Sequence, residues 1–263
     1  MPSVLRFLVF YALTVASVAP SRADTTSQQT ISITNVVDLT HTLTEKFPYN
    51  PVSGVYYPFD IDVQTTVKKD GVASNEWKIH EHIGTQIDAP SHFIVDGKSL
   101  DQLPVENFIA PLAVIDISER AKRDPNTMVT VADIKAWEKR YGRLEEGAAV
   151  FMYSGWSKRV HDPKAFVNLD ASNTMHAPGF APETAEFLIH ERDIVSIGVD
   201  TLSIDTGRSK DFPVHKSWLA AGKWGVECVA NLDRVPPSGA TVFVGATKVG
   251  GATGGPVRLI ATF

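Results

Sequence analysis

Short apolar stretches rich in β-branched residues recur along the chain and are separated by polar turns. Runs of about four to eight such residues, bounded by glycine, proline, asparagine or aspartate, are typical of β-strands. The pattern predicts eight strands, over residues 31–40, 59–67, 77–83, 112–117, 148–154, 194–200, 240–246 and 257–263.

Helical spacing is clear in two segments and shorter in a third. The first runs from Thr130, which stands at capping-box spacing from Asp133, to Gly142. The second begins at Pro182 and has acidic residues in its first turn, and a shorter candidate begins at His215. Strands outnumber helices, and no repeat or low-complexity linker divides the rest of the chain. The sequence therefore predicts a mixed α/β single domain around one sheet-rich core.

The first residues are organised like a targeting signal. Arg6 precedes the apolar run 7–19, which is too short to span a bilayer, and a small-x-small pattern follows at 21–23. We interpret residues 1–23 as a signal peptide, with an uncleaved anchor as the alternative, and residues 24–263 as the mature domain. This predicts a secreted or periplasmic protein. A bacterial periplasm is the preferred compartment, and a eukaryotic secretory route is the alternative.

Composition and charge narrow the classes of partner. Hydrophobic residues make up 43% and charged residues 21% of the chain, as in ordinary globular proteins. Loss of Arg6 and Arg22 with the signal peptide moves the formal charge from −5 to −7. A mildly acidic surface argues against a nucleic-acid partner. No second apolar run is long enough to span a membrane, so we expect no membrane partner after cleavage. The lone cysteine, Cys228, cannot form an internal disulfide.

The stretch "HEHIGTQIDAPSHF", which begins at His80, concentrates side chains that bind metal ions. On the predicted strand His80 and His82 share one face, and Gln86, Asp88 and His92 follow across two turns. Imidazoles and a carboxylate that converge in this way suit Zn²⁺, Mn²⁺ or Fe²⁺ better than Ca²⁺. The alternative is a group of hydrogen-bonded polar residues at the end of a sheet.

"HIGTQIDAPSH" resembles the H-x-G-T-H-x-D-x-P-x-H signature of the cyclase family, which includes bacterial arylformamidases (kynurenine formamidases) and isatin hydrolases. Residues 38–51 resemble that family's entry segment, residues 215–233 its second metal-binding half, and residues 249–261 its closing strand. The resemblance covers nearly the whole mature chain. It implies a swivelling β/β/α cyclase-like domain, usually assembled as a homodimer.

Position by position, the resemblance also implies roles for individual residues. Gln86 stands where the arylformamidase pattern has its second histidine, and His80 is a candidate replacement. Because an amide oxygen is a weaker ligand than imidazole, we expect one tightly held Mn²⁺ or Zn²⁺ and a second site that is weak or absent. The implied metal-site residues are His82, Gln86, Asp88, His215 and Glu227, and the implied catalytic residues are His92 and Glu227.

The reaction that this site implies is metal-dependent hydrolysis of the C–N bond in a small aromatic or cyclic amide. A metal-bound water attacks the carbonyl, and His92 acts as general acid and base. The partner is then a small amide or lactam, either isatin or N-formylkynurenine, and export slightly favours isatin. The alternatives are a lactone or ester hydrolase with the same site, and a non-catalytic periplasmic protein that binds a ligand or metal.

Four further features have both a functional and a structural interpretation. Tyr49 and Phe47 are candidate contacts for the substrate ring, and core packing is the alternative for each. Residues 198–205, "GVDTLSID", either border the site or form a turn at a strand end. "GGATGG", residues 250–255, lacks the Lys and Ser/Thr of a phosphate-binding loop, so we predict a tight turn there.

Overall fold

Short strands supply most of the regular structure in this computed structural model, which describes residues 33–51 and 54–263. The described strands are β1 Val36–Asp38, β2 Asp60–Thr65, β3 Ser74–Lys78, β4 Gln86–Asp88, β5 Ile109–Asp116, β6 Met128–Val129, β7 Ala149–Tyr153, β8 Gly179–Phe180, β9 Ser196–Val199, β10 Trp224–Glu227, β11 Ala240–Ala246 and β12 Gly254–Thr262. The described α-helices are α1 Val67–Asp70, α2 Ser118–Ala121, α3 Val131–Tyr141, α4 Pro163–Val167, α5 Pro182–Glu191 and α6 Pro213–Ala220. Residues from Ile33 onward form one compact unit, and the predicted signal peptide lies outside the described residues.

The main sheet closes on itself. Its strand order is β1–β12–β11–β5–β7–β9–β10–β4, and β4 also pairs with β12. The long strand β12 makes this closure because its first residues pair with β4, while its later residues pair with β11 and β1. Closure removes most exposed strand edges and makes the sheet a barrel.

Half of the barrel is parallel and is covered by helices. Strands β5, β7, β9 and β10 run parallel, and α3, α5 and α6 lie in the connections between them. Leu112 and Val114 of β5 face the barrel interior, whereas Ala113 and Ile115 pack with residues of the three helices. This alternation follows from the two-residue period of a strand. None of the described helices is long and apolar enough to cross a membrane.

Side chains fill the interior of the barrel. Phe151 of β7 is fully buried and its ring lies against β9 at Gly198. A Cβ atom at Gly198 would lie 2.6 Å from that ring, so a larger residue would displace it. The packed interior makes the barrel a scaffold, and the candidate site lies on its outer surface.

The structure corrects part of the sequence prediction. The predicted strand over 77–83 is wrong beyond Lys78, because β3 ends there and both His80 and His82 lie in the loop that follows. Four of the described strands, β4, β6, β8 and β10, were not predicted, since each has only two to four residues. The three predicted helices correspond to α3, α5 and α6.

Candidate metal and active site

The two short antiparallel strands β4 and β10 form the floor of the site. Ile87 and Val226 belong to the barrel core. Because side chains alternate along a strand, Gln86, Asp88 and Glu227 point to the outer surface. Gln86 pairs with Glu227 in the register, and its Nε2 donates to Glu227 Oε2 at 2.8 Å. These strands thus bring together three of the residues predicted to bind metal.

His82 reaches this floor from the turn before β4. Its Nδ1 lies 2.7 Å from Asp88 Oδ1. Its ring packs against the backbone of β12, where a Cβ atom at Gly254 would lie 2.5 Å from His82 Cε1. Glycine at that position therefore leaves the space that the imidazole occupies.

His215 approaches from α6 and is held by a buried carboxylate. Asp205 accepts hydrogen bonds from the backbone N–H groups of Val214 and His215, and His215 Nδ1 lies 2.6 Å from Asp205 Oδ2. An ionised carboxylate can only accept, so Nδ1 carries the hydrogen and Nε2 faces the other acids. That nitrogen lies 3.5 Å from Asp88 Oδ2 and 3.3 Å from Glu227 Oε1.

Asp88 is shared by two groups of metal-ligand side chains. One group is His82, Asp88 and His92, the other is Asp88, His215 and Glu227, and within each group the ligand atoms lie within 4.8 Å of one another. Asp88 is completely buried, and its Oδ2 has no hydrogen-bond partner among the described residues. Imidazole nitrogens with carboxylate oxygens are the donors that Zn²⁺ and Mn²⁺ take in proteins. These residues therefore fit a divalent metal ion.

The charges in the cluster also fit a cation. Although burial opposes it, the adjacent imidazoles of His215 and His82 hold the pKa of Asp88 below its ordinary value. Burial and the negative charge of Asp88 raise the pKa of Glu227. Two buried carboxylates side by side disfavour each other's ionised form, and a divalent ion between histidine and carboxylate donors would offset that repulsion.

His92 is close to the cluster but is not anchored in it. Its ring stacks on that of His82 with centroids 3.8 Å apart and lies 6.1 Å from that of His215. Among the described residues, its imidazole nitrogens have no hydrogen-bond partner, unlike those of His82 and His215. Burial lowers the pKa of His92 to about 4, despite the opposing charge of Asp88. At neutral pH its imidazole is therefore uncharged and can accept a proton.

The side chain of Gln86 links His82 to Glu227. Its Oε1 lies 3.3 Å from His82 Nδ1, while its Nε2 donates to Glu227. The side chain is buried, so this geometry is set by its neighbours. His80 lies just outside the cluster, where its Nδ1 accepts a hydrogen bond from the backbone N–H of His82 at 3.1 Å and its ring packs on Tyr56.

A cavity of about 310 Å³ opens over the cluster. Its floor includes five of the predicted site residues, His82, Gln86, His92, His215 and Glu227. Its walls carry the aromatic side chains of Tyr49, Tyr56, Phe93 and Phe212. Phe47 is only 4% exposed, packs in a core cluster with Phe166, and does not line this cavity. Of the two predicted substrate contacts, Tyr49 is thus at the cavity.

The sequence patterns assigned no role to several residues that support the cluster. Asp205 lies in the segment that was expected either to border the site or to form a turn, and the two acids at that strand end were its signal. Thr253 and Glu81 contact each other and His82, although Thr253 lies more than 170 residues away along the chain. Tyr56 lines the cavity and had no signal in the pattern.

Known proteins resemble this chain in both sequence and architecture. The family described as putative cyclase matches residues 37–206. This chain belongs to the cyclase family. The isatin hydrolase of Roseibium aggregatum is 36% identical over 198 residues, which cover 72% of this chain and 74% of that protein. The kynurenine formamidase of Salinibacter ruber is 26% identical over 217 residues, which cover 80% and 92%.

Solved cyclase-family structures agree with the fold. Isatin hydrolase A from Labrenzia aggregata, bound to benzyl benzoate, superposes with a TM-score of 0.82 at 36% identity and covers 87% of this chain and 93% of its own. The predicted mixed α/β single domain of the cyclase type is confirmed. The predicted enzyme class, a metal-dependent hydrolase of C–N bonds other than peptide bonds, is confirmed as well.

Proposed function

We propose that this cyclase-family enzyme hydrolyses the lactam of isatin or of a closely related small cyclic amide. The observation that carries the proposal is the buried histidine–carboxylate cluster on the floor of an aromatic cavity of about 310 Å³. The higher identity to an isatin hydrolase than to a kynurenine formamidase, 36% against 26%, supports the lactam over the formamide.

Residues of the chain have two proposed roles, binding a metal ion and transferring a proton. His82, Asp88, His215 and Glu227 would hold the ion, with Gln86 as a weaker neighbour. A bound Mn²⁺ or Zn²⁺ supplies a positive charge that polarises a carbonyl and lowers the pKa of water. Gln86 stands where the arylformamidase pattern has a histidine, and an amide oxygen is the weaker ligand. One ion would therefore bind tightly, and a second site would be weak or absent.

His92 is proposed as the general acid and base. Its uncharged imidazole accepts a proton from the attacking water and returns it to the leaving nitrogen. Stacking on His82 fixes the plane of the ring, and the lack of other hydrogen bonds leaves its nitrogens available. Tyr49, Phe93 and Phe212 line the cavity in which an aromatic substrate ring would lie over the cluster.

The proposal also includes export and assembly. Residues 1–23 would direct the chain to a secreted or periplasmic location and then be removed. The mature chain would act as a homodimer on a small molecule, without nucleic acid or membrane. N-terminal sequencing of the exported protein and its mass in solution test these two points.

The substrate is tested by following isatin and N-formylkynurenine side by side by absorbance, with protein that starts at Asp24. We expect isatin to be consumed faster, chelation to stop the reaction, and Mn²⁺ or Zn²⁺ to restore it, whereas Ca²⁺, the matched control, should not. Faster loss of N-formylkynurenine would favour the formamidase. Loss of lactones alone would favour the esterase, and tight metal binding without any hydrolysis would favour a binding protein.

A further inference from the structure

The glycine-rich loop before β12 contributes one hydroxyl group to the metal site. Thr253 Oγ1 lies 2.6 Å from Glu81 Oε2 and 3.0 Å from His82 Nε2. The backbone N–H of Thr253 donates to the same Glu81 oxygen at 3.1 Å. Thr253, which is distant in the sequence, thus links His82 of the cluster to Glu81, the residue before it.

The number of available protons fixes the direction of these hydrogen bonds. An ionised Glu81 can only accept, and a threonine hydroxyl has a single hydrogen. The short contact to Glu81 uses that hydrogen, because bonds to a charged acceptor are the stronger ones. Thr253 Oγ1 can then only accept from His82, so Nε2 carries a hydrogen and Nδ1 is the nitrogen that remains for a metal ion.

The loop is held firmly enough to impose this arrangement. The backbone N–H of Ala89, next to Asp88, donates to Thr253 O at 2.9 Å. On the other side of Thr253, the backbone N–H of Leu100 donates to Ala252 O at 2.9 Å. The close approach of the His82 ring to Gly254 prevents the ring from shifting towards the strand. The hydroxyl and the imidazole are therefore positioned by the fold on both sides.

We infer that Glu81 and Thr253 are positioning residues that keep the hydrogen of His82 on Nε2 and thereby present Nδ1 to the metal ion. Nδ1 is the nitrogen that lies beside Asp88 Oδ1, at 2.7 Å, where a bound metal ion would replace the hydrogen that Nδ1 shares with this carboxylate. His215 is fixed in the opposite sense, since Asp205 holds its Nδ1 and leaves Nε2 facing the cluster. The inference rests on the proposed role of His82 as a metal ligand.

The test uses ¹⁵N-histidine NMR of the mature chain loaded with Zn²⁺, which is diamagnetic. In the wild type we expect His82 to bind Zn²⁺ through Nδ1 and to carry its hydrogen on Nε2; loss of one set of signals in His82→Gln assigns the residue. Thr253→Val has the shape of threonine without the hydroxyl. We expect it to weaken Zn²⁺ affinity about 10–100-fold, measured by chelator competition, and to broaden or move the His82 signals.

Two variants separate positioning from simple packing. Thr253→Ser keeps the hydroxyl and should restore both affinity and spectrum, whereas Glu81→Ala frees the hydroxyl hydrogen and should resemble Thr253→Val. Thr241→Val, the same change at a half-buried site on β11, is the matched control and should alter neither. Thermal unfolding of each variant checks that the fold is intact.

Binding of Zn²⁺ through His82 Nε2, or a Thr253→Val protein with unchanged spectrum and affinity, would overturn the inference. No change of any His82 signal on addition of Zn²⁺ would overturn both the inference and the proposed ligand role of His82. A wild type that binds Zn²⁺ through Nδ1 but does not hydrolyse isatin would leave the inference standing and contradict only the proposed substrate.

Discussion

The two histidines on either side of Asp88 are supported in different ways. On the parallel side of the barrel, His215 contacts Asp205 directly, and both side chains are at most 4% exposed. On the loop side, His82 contacts Thr253, which contacts Glu81, and the Glu81 side chain is 43% exposed. One support is a single buried charge, whereas the other passes through a neutral hydroxyl to a charge in contact with solvent.

This difference predicts unequal energies. A hydrogen bond to a charge in a buried, low-dielectric environment is stronger than one that water and salt can screen. Asp205 also accepts from two backbone N–H groups at the start of α6, so its loss affects the helix as well as the histidine. We therefore expect the site to depend more on Asp205 than on the Thr253 relay.

His92 differs from both His82 and His215, because no hydrogen bond from the part of the chain that the structure describes holds its imidazole. We expect its substitution to have the largest effect on turnover. We expect His92→Ala to lower kcat about 10²–10⁴-fold, the usual value of a proton-transfer residue. Metal content should stay close to wild type, because the remaining carboxylates and histidines hold the ion. Steady-state hydrolysis of isatin and metal analysis of the same preparation measure both.

The matched control is His190→Ala, an exposed histidine late in α5, which should change neither quantity. Loss of metal from His92→Ala would instead assign His92 as a ligand, in line with its closeness to His82 and Asp88.

Breaking the direct support should have the next largest effect. Asp205→Asn keeps the shape but places an amide N–H₂ where one carboxylate oxygen now accepts, so donor meets donor at Val214 or His215. We expect Zn²⁺ affinity to fall about 100-fold, the upper end for residues that orient metal ligands. Chelator competition measures it, with Asp211→Asn on the exposed part of the same connection as the control. Equal affinities in the two variants would remove the assigned difference between the supports.

The sequence predicted much of the fold because long strands carry a readable period. Strand β11 coincides with its predicted range, and α3 begins after the predicted capping threonine, Thr130. Strands β4 and β10 escaped prediction because they are short and their outward positions hold polar ligands, so no apolar run marks them. The direction of Asp88 and Glu227 thus became clear only from their pairing in the barrel.

The candidate site shows the same limit. Its ligands were found because they lie in two compact motifs, whereas Thr253 acts on His82 from a distant loop that composition marks only as a turn. Tyr49 and Phe47 are two residues apart, and no local pattern tells which of them faces the cavity. The contact between Thr253 and His82 depends on closure of the barrel, which brings the start of β12 beside β4.

Gln86 offers the smallest and most specific change, because it lies between the two supported histidines. Gln86→His removes the amide that donates to Glu227 and adds an imidazole beside Asp88, as in the arylformamidase pattern. Imidazole is the stronger ligand for Zn²⁺, so we expect a second, weaker equivalent of Zn²⁺ to bind while the first keeps most of its affinity. Calorimetric titration of metal-free protein gives the stoichiometry, with Gln64→His on the exposed β2 strand as control. If Gln86→His still binds one equivalent, the identity of this residue does not decide the number of ions, and the unequal supports of His82 and His215 become the better explanation.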